Sequence, residues 1–184
     1  MSLEIVPLAV TELGAVRAGL LDVYRAAFAL APYNEGPEEF ERFDESLSRH
    51  SRRKGFRCCV ARDNTDGRLL GFAYGYNGGP GDYWWEAVSD ALEPRVADKW
   101  LGNCFQLNEI AVLPSAQGQG IGGWLHDVLL EGLTQRTAVL STLQAETRAA
   151  RLYRRRGWIT LLHDFVFPEA ADPYMIMGRD LRRR

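Results

Sequence analysis

Residues 104 to 124 read Cys-Phe-Gln-Leu-Asn-Glu-Ile-Ala-Val-Leu-Pro-Ser-Ala-Gln-Gly-Gln-Gly-Ile-Gly-Gly-Trp. An apolar strand runs through Pro114 into a glycine-rich turn and then a helix, which is the layout of a phosphate cradle. Gly118, Gly120, Gly122 and Gly123 carry no Cβ, so successive backbone N–H groups can converge on one anion without steric cost. The helix adds its unpaired first-turn N–H groups and the positive end of its dipole. A pyrophosphate can be held there without a lysine.

Spacing narrows the ligand. Gly118-x-Gly120-x-x-Gly123 also fits the dinucleotide pattern. That fingerprint belongs to the first βα turn of a parallel sheet, with its glycines directly after the strand. Here the run lies past the middle of the chain, and Pro114 to Ala116 separate strand from glycines. A dinucleotide-dependent oxidoreductase would need the fingerprint near the amino terminus, and Val10 to Leu30 offers none. No Gly-Lys-Ser or Gly-Lys-Thr follows, which excludes the nucleotide-triphosphate loop. What stays is Gln117-x-x-Gly120-x-Gly122 behind a Val-Leu-Pro strand end.

With these residues the chain resembles the GNAT superfamily of acetyl-CoA-dependent N-acetyltransferases, whose pattern at this place is Gln/Arg-x-x-Gly-x-Gly/Ala. One helix and one strand downstream, Ala149-x-x-Leu152-Tyr153-x-x-x-Gly157-Trp158 looks like the family's Ala-x-x-Leu-Tyr-x-x-x-Gly-Phe segment. The family's asparagine seven positions before the tyrosine is Glu146 here. The resemblance covers roughly residues 56 to 163. It implies a mixed α/β (α+β) fold: one GNAT domain over 1–184, a central twisted mixed sheet of about seven strands flanked by helices and splayed at the cofactor site. Acetyl-CoA is the implied cosubstrate. Backbone groups of Ile110, Ala111 and Val112 would hold its pantetheine arm, and Gln117, Gly118, Gln119, Gly120, Ile121, Gly122 and Gly123 its pyrophosphate. Glu146 and Ala149 fall at further cofactor positions. Tyr153 is placed by the motif as the phenol that donates to the departing thiolate.

Composition agrees with an enzyme domain. The chain has 184 residues, 46% of them apolar, enough to fill one core. A net charge of −2 argues against a nucleic-acid partner. Cys58, Cys59 and Cys104 cannot close a disulfide framework and have no zinc-ligand spacing with histidine, so no metal is expected and the thiols read as reduced. No apolar stretch reaches membrane-spanning length and Met1 to Val10 lacks a basic leader region, so a cytoplasmic protein is expected. A homodimer is compatible with the chain.

Along the chain, Leu3 to Val10 reads as a first strand and Thr11 as the N-cap of a helix to about Leu30. Leu13, Val16, Leu20, Val23, Tyr24, Ala27 and Phe28 recur on one helical face as core. Pro37 opens a second helix with Phe40, Phe43 and Leu47 inward, in a segment rich in acids from Glu35 to Glu45. Phe56–Arg62 and Leu69–Tyr76 form a hairpin around Asn64-Thr65-Asp66-Gly67. Residues 77–103 diverge from the family and suggest short helices at Trp84–Leu92 and Arg95–Leu101. Their tryptophans and acids (Asp82, Glu86, Asp90) read either as a helical cap filling gaps or as an aromatic, anionic wall drawing in a cationic amine. Ile121, Trp124, Leu125, Val128, Leu129 and Leu133 lay the cradle helix on the sheet. Thr137–Leu143 is expected to run parallel to Gln106–Val112. A helix from Thr147 to Arg156 stops at Gly157, and Trp158–Val166 and Tyr174–Leu181 supply the last strands.

Acetyl transfer to nitrogen needs a neutral amine, and alkyl amines are protonated at neutral pH, with a lysine-like pKa of about 10.4. Glu109 is the only acid in the strand before the cradle and is the candidate base. Gln106 and Asn108 share the opposite strand face, and either steering a water is the competing route. A silent acyl-CoA-binding module is the remaining alternative to an N-acetyltransferase acting on a small-molecule or peptide amine.

Overall fold

The computed structural model describes residues 3–168 and 170–182. Seven strands form one mixed sheet in the order β1-β2-β3-β4-β5-β7-β6. They are β1 (Leu3–Leu8), β2 (Arg57–Asp63), β3 (Leu69–Asn77), β4 (Cys104–Val112), β5 (Thr137–Leu143), β6 (Ile159–Phe165) and β7 (Tyr174–Asp180), accompanied by six α-helices. The expected fold class and strand count are therefore present. Contacts gather into two compact units, residues 1–76 with 109–131 and residues 77–108 with 132–184. Strand β4 contributes its first half to the second unit and its second half to the first.

In the first unit, β1, β2 and β3 are antiparallel neighbours. The β2–β3 turn closes where Gly67, at φ +75°, donates its N–H to Asp63 O at 2.8 Å. Helix α1 (Leu13–Phe28) buries Leu20, Val23, Tyr24 and Phe28. It begins later than the sequence suggests. Val10–Glu12 form a 3-10 turn, and the Glu12 carboxylate accepts the Ala9 N–H at 2.7 Å, so Thr11 is not the N-cap. Helix α2 (Pro37–His50) opens on Pro37 and buries Phe43 and Leu47. These side chains meet Phe72 and Tyr74 of β3 in one aromatic core.

In the second unit, β5 pairs antiparallel with β7, and β7 with β6. The parallel ladder of β4 with β5 joins Cys104–Gln106 to Thr137–Val139. It lies earlier in β4 than expected, and Leu107 and Asn108 have already left it. Helices α3 (Tyr83–Ala91) and α4 (Pro94–Leu101) are the two short helices expected in the divergent segment. They pack on β5 and β7: Trp100 and Leu101 join Val139 and Ile176 in a core. A Cβ on Gly178 would come within 2.6 Å of the Trp100 ring, so only glycine admits this packing. Trp84 Nε1 donates to Ser141 Oγ at 3.0 Å and Trp85 Nε1 to Leu101 O at 3.1 Å. Asp82 caps α3 by accepting the Trp85 N–H, and Glu86 accepts the Gly81 N–H. The tryptophans and two of the three acids thus build the cap itself.

Candidate active site

The cradle belongs to the first unit. After β4, Pro114–Ala116 make a 3-10 turn in which Ala116 N–H donates to Leu113 O at 2.8 Å. Leu113 N–H is held by Leu70 O at 2.8 Å. The Gln117 amide then folds back and donates to Val112 O at 3.0 Å, so this motif residue clamps the loop onto the strand end. Gly118 and Gly120 lie at φ +80° and +83°, the left-handed region that favours glycine. A Cβ at either would meet no protein atom within 4 Å. The demand is one of backbone conformation, and the turn faces open space.

Gly120 is the N-cap of α5 (Ile121–Leu130) and its carbonyl accepts the Trp124 N–H at 3.0 Å. Gly122 and Gly123 therefore lie inside the first helical turn, not in the loop, which corrects the expectation of a four-glycine turn. An anion at this helix end meets the N–H groups of Ile121, Gly122 and Gly123, the last two without side-chain bulk. No basic residue occurs from Val112 to Trp124. A donor set of backbone N–H groups alone fits the pyrophosphate of a coenzyme.

The expected base, Glu109, lies in β4. Glu109 is only half-buried as a residue, yet its carboxylate is withdrawn from water. Its pKa is pushed up to about 8, first by that burial and second by the negative charge of Glu35, while the Ile110 N–H it accepts pulls the other way. Tyr24 of α1 and Tyr74 of β3 face the same carboxylate, and both phenols are raised by burial first and by Glu109 next. Tyr24 hydrogen-bonds Glu35. Tyr74 Oη sits 3.2 Å from His50 Nδ1. Of the strand groups expected to hold pantetheine, Ile110 N–H is thus engaged with Glu109, and Val112 O already accepts from Gln117. Ala111 is buried, with its carbonyl facing Gly71, where a Cβ would come within 2.8 Å. Sequence reading singled out neither Tyr74 nor Glu35. Tyr24 was legible as core and Glu35 as one acid among several; only the tertiary packing brings them to Glu109.

The second unit carries the other motif. Helix α6 (Arg148–Arg155) starts at Thr147, whose Oγ1 accepts the Ala150 N–H at 3.0 Å, and Ala149 lies in its first turn. Gly157, at φ +78°, ends it, and Trp158 N–H reaches back to Tyr153 O at 3.2 Å. Tyr153 is buried, its ring 5.7 Å from that of Trp158. Glu146, at the family's asparagine position, pairs with Arg154 at 2.6 Å, and its backbone carbonyl accepts from Arg151 at 2.7 Å. Two arginines of this helix thus serve its own start. Asn108 Oδ1 is buried with no hydrogen-bond partner. A Cβ on Gly78 would come within 3.5 Å of Gln106 Oε1.

A strand, a glycine turn and an open helix N-terminus on a mixed sheet are an arrangement that fits the pyrophosphate of a coenzyme. Residues 20–158 match the acetyltransferase (GNAT) family, and the chain belongs to it. A GCN5-like protein acetyltransferase of Mycobacterium tuberculosis, Rv2170, is 37% identical over 131 residues, covering 66% of this chain and 63% of that protein. The chain therefore spans less than two thirds of that relative's length. Among solved structures, a GNAT-family protein from Desulfovibrio desulfuricans superposes with a TM-score of 0.65 at 19% identity, covering 97% of this chain and 99% of the other. The Salmonella typhimurium yncA structure, which holds its cofactor acetyl-CoA, gives 0.62 at 14% identity, over 98% and 95% of the two chains. The matched family is one of acetyltransferases. No helix among the described residues is long and apolar enough to cross a membrane.

Proposed function

We propose that this chain transfers the acetyl group of acetyl-CoA to a primary amine by direct attack in a ternary complex. Glu109 takes a proton from the ammonium group, and the freed nitrogen lone pair then bonds to the thioester carbon, the surplus proton on that nitrogen passing to water. Tyr153 donates a hydrogen bond or proton to sulfur as the carbon–sulfur bond breaks. The observation that carries this reading is the match of residues 20–158 to the acetyltransferase family, with the withdrawn Glu109 carboxyl, pushed up to about 8 by burial and Glu35, supporting it as the base. A base titrating near neutrality is matched to removing an ammonium proton, where an ordinary carboxylate would be too weak. Tyrosine's reference pKa of about 10 exceeds a thiol's at about 8.5, so a hydrogen bond to the thiolate carries most of that benefit.

The M. tuberculosis relative is named a protein acetyltransferase, which supports including lysine-bearing peptides beside small amines as acceptors. Three free, buried thiols and the need for acetyl-CoA support a cytoplasmic setting. Thiol release from acetyl-CoA, followed with a panel of small amines and lysine peptides and checked by the mass of the acetylated product, tests the assignment. Acetyl-CoA binding with no amine-dependent thiol release would make the chain a silent acyl-CoA module. We also read 1–184 as one domain. Coincident unfolding by fluorescence and far-UV signals is expected, and two separated transitions would divide it.

A further inference from the structure

We infer that the groove at the carboxy-terminal end of α2 docks an acidic stretch of a polypeptide acceptor, one that carries carboxylates beside the lysine to be acetylated. The inference rests on the reading of the chain as an acetyltransferase of amines, lysine peptides among them.

The groove is a cavity of about 470 Å³ lined by Glu45, Ser48, Arg49, Arg52 and Arg53. Glu45, Ser48, Arg49 and Arg52 are three and four positions apart, the spacing of one helical face. The first three stand on α2, and a run of turns carries the face past the helix end. Ser51 N–H donates to Leu47 O at 2.9 Å, Arg52 N–H to Arg49 O at 3.3 Å and Arg53 N–H to His50 O at 2.9 Å. Arg49 and His50 lie in the last turn of α2, where cations complement the helix dipole. Arg52 and Arg53 lie beyond it, so the dipole does not account for them. Arg49 donates to the neutral Ser46 hydroxyl at 2.9 Å. Among the described residues no carboxylate pairs with Arg49 or Arg52. Their planar guanidinium forks are shaped to take a carboxylate through two parallel N–H bonds.

One layer of rings links the groove to the strands of the candidate base. The Arg53 guanidinium stands 6.0 Å from the centroid of the Tyr76 ring. The His50 ring is 4.9 Å from that of Tyr76, and its Nδ1 is 3.2 Å from Tyr74 Oη. Tyr74 and Tyr76 belong to β3, the neighbour of the β4 strand that holds Glu109. Charge chooses the occupant. Acids dominate α2 from Glu38 to Glu45, with Arg42 paired to Glu39 at 2.6 Å, and Arg49, Arg52, Arg53 and Lys54 follow. A polypeptide with a lysine and neighbouring carboxylates matches both halves, its cation toward the acids and its acids toward the arginines. A nucleic acid or an anionic membrane would bring phosphates against the acidic half as well and be repelled there.

The test uses peptide pairs that differ only in whether glutamates or glutamines flank the lysine. At low salt the acidic peptide should show kcat/KM about fivefold to tenfold above its control, the worth of two exposed ion pairs, and the advantage should shrink as salt rises. Arg49→Gln combined with Arg52→Gln should abolish that preference and acetylate a small amine at the wild-type rate. Arg52→Glu should instead favour a peptide with arginines in place of the glutamates. Fluorescence anisotropy of the same peptides, with acetyl-lysine at the target position, reads docking without turnover. The acidic peptide should bind several-fold more tightly than its control, and neither a single-stranded oligonucleotide nor phosphatidylserine vesicles should displace it. Equal binding of the two peptides, a preference that survives the double variant, or displacement by oligonucleotide or vesicles overturns the inference. If lysine peptides turn over with no regard to flanking acids, the docking role alone fails. If the acidic peptide binds through Arg49 and Arg52 while no amine releases thiol, docking stands and the acetyl-transfer reading fails.

Discussion

The cradle and the carboxylate cluster lie in the same unit and obey different rules. The cradle is a run of a dozen residues whose parts are backbone: a 3-10 turn at Pro114, two left-handed glycines and a helix start. The cluster draws single side chains from positions 24, 35, 74 and 109, and what matters in it is burial and charge. Backbone geometry is specified by neighbours in sequence, so a spacing pattern encodes it. A shifted carboxyl is specified by whatever packs around it, and no local pattern encodes that.

The sharpest way to break the comparison is to damage the cradle alone. Gly120→Asp puts a side chain at φ +83° and a negative charge before the helix N-terminus. CoA at about 100 times its dissociation constant should stabilise the wild-type protein by about 2.7 kcal/mol, and the variant should lose that shift. The Glu109 titration should be unchanged in the variant. A CoA-dependent thermal shift equal to wild type would remove the cradle assignment.

The converse variant damages only the cluster. Glu109→Gln should lower kcat by about 10²- to 10⁴-fold and leave the CoA thermal shift intact. It also makes a stability prediction of definite sign. The folded carboxyl titrates at about 8, above its unfolded value, so the folded state holds a proton that the unfolded state has released. Stability from this group is complete below the unfolded pKa and is lost as pH rises through about 8. Glu109→Gln should therefore raise Tm relative to wild type at pH 8 to 9, with the gain vanishing by about pH 4. A Tm difference that does not vary with pH would show that the carboxyl is not held protonated by the fold.

How far the molecule was legible follows the same division. The β2–β3 hairpin could be placed because Gly67 marks its turn, α2 because Pro37 starts it, and α6 because Gly157 stops it. Where the chain chose between two local solutions, the pattern misled: Thr11 looks like a cap, but Glu12 reaches back to Ala9 and a 3-10 turn comes first. Gly122 and Gly123 read as loop, but Gly120 already caps the helix. The early end of the β4–β5 ladder and the seating of Trp100 on Gly178 are tertiary facts with no sequence mark. Glu35 was hidden among Glu38, Glu39, Glu41, Asp44 and Glu45, the other acids of the same run.

Tyr153 sharpens the comparison from the second unit, since its motif is local while its hydroxyl works only if the fold aims it. Tyr153→Phe should keep CoA affinity and lower kcat roughly tenfold or more, because the hydroxyl acts as charge develops on sulfur. Wild-type turnover in the variant would reduce Tyr153 to its packing against Trp158.

The smallest effect is expected at Glu146, where the chain departs from the family motif. Its ion pair with Arg154 is short, 2.6 Å, but both side chains are largely exposed. Such a pair contributes about 0 to 1 kcal/mol and is screened by salt. Glu146→Gln should therefore lower Tm by no more than a few degrees, with the difference shrinking in 1 M salt. Two outcomes divide its role. If CoA affinity is unchanged, Glu146 serves only to tie Arg154, in the last turn of α6, back to the residues before the helix. If affinity changes several-fold at constant Tm, the position touches the cofactor despite the missing asparagine, and the cradle is not the whole of the coenzyme site. Reversing the pair with Glu146→Arg and Arg154→Glu should restore Tm in the first case and leave affinity impaired in the second.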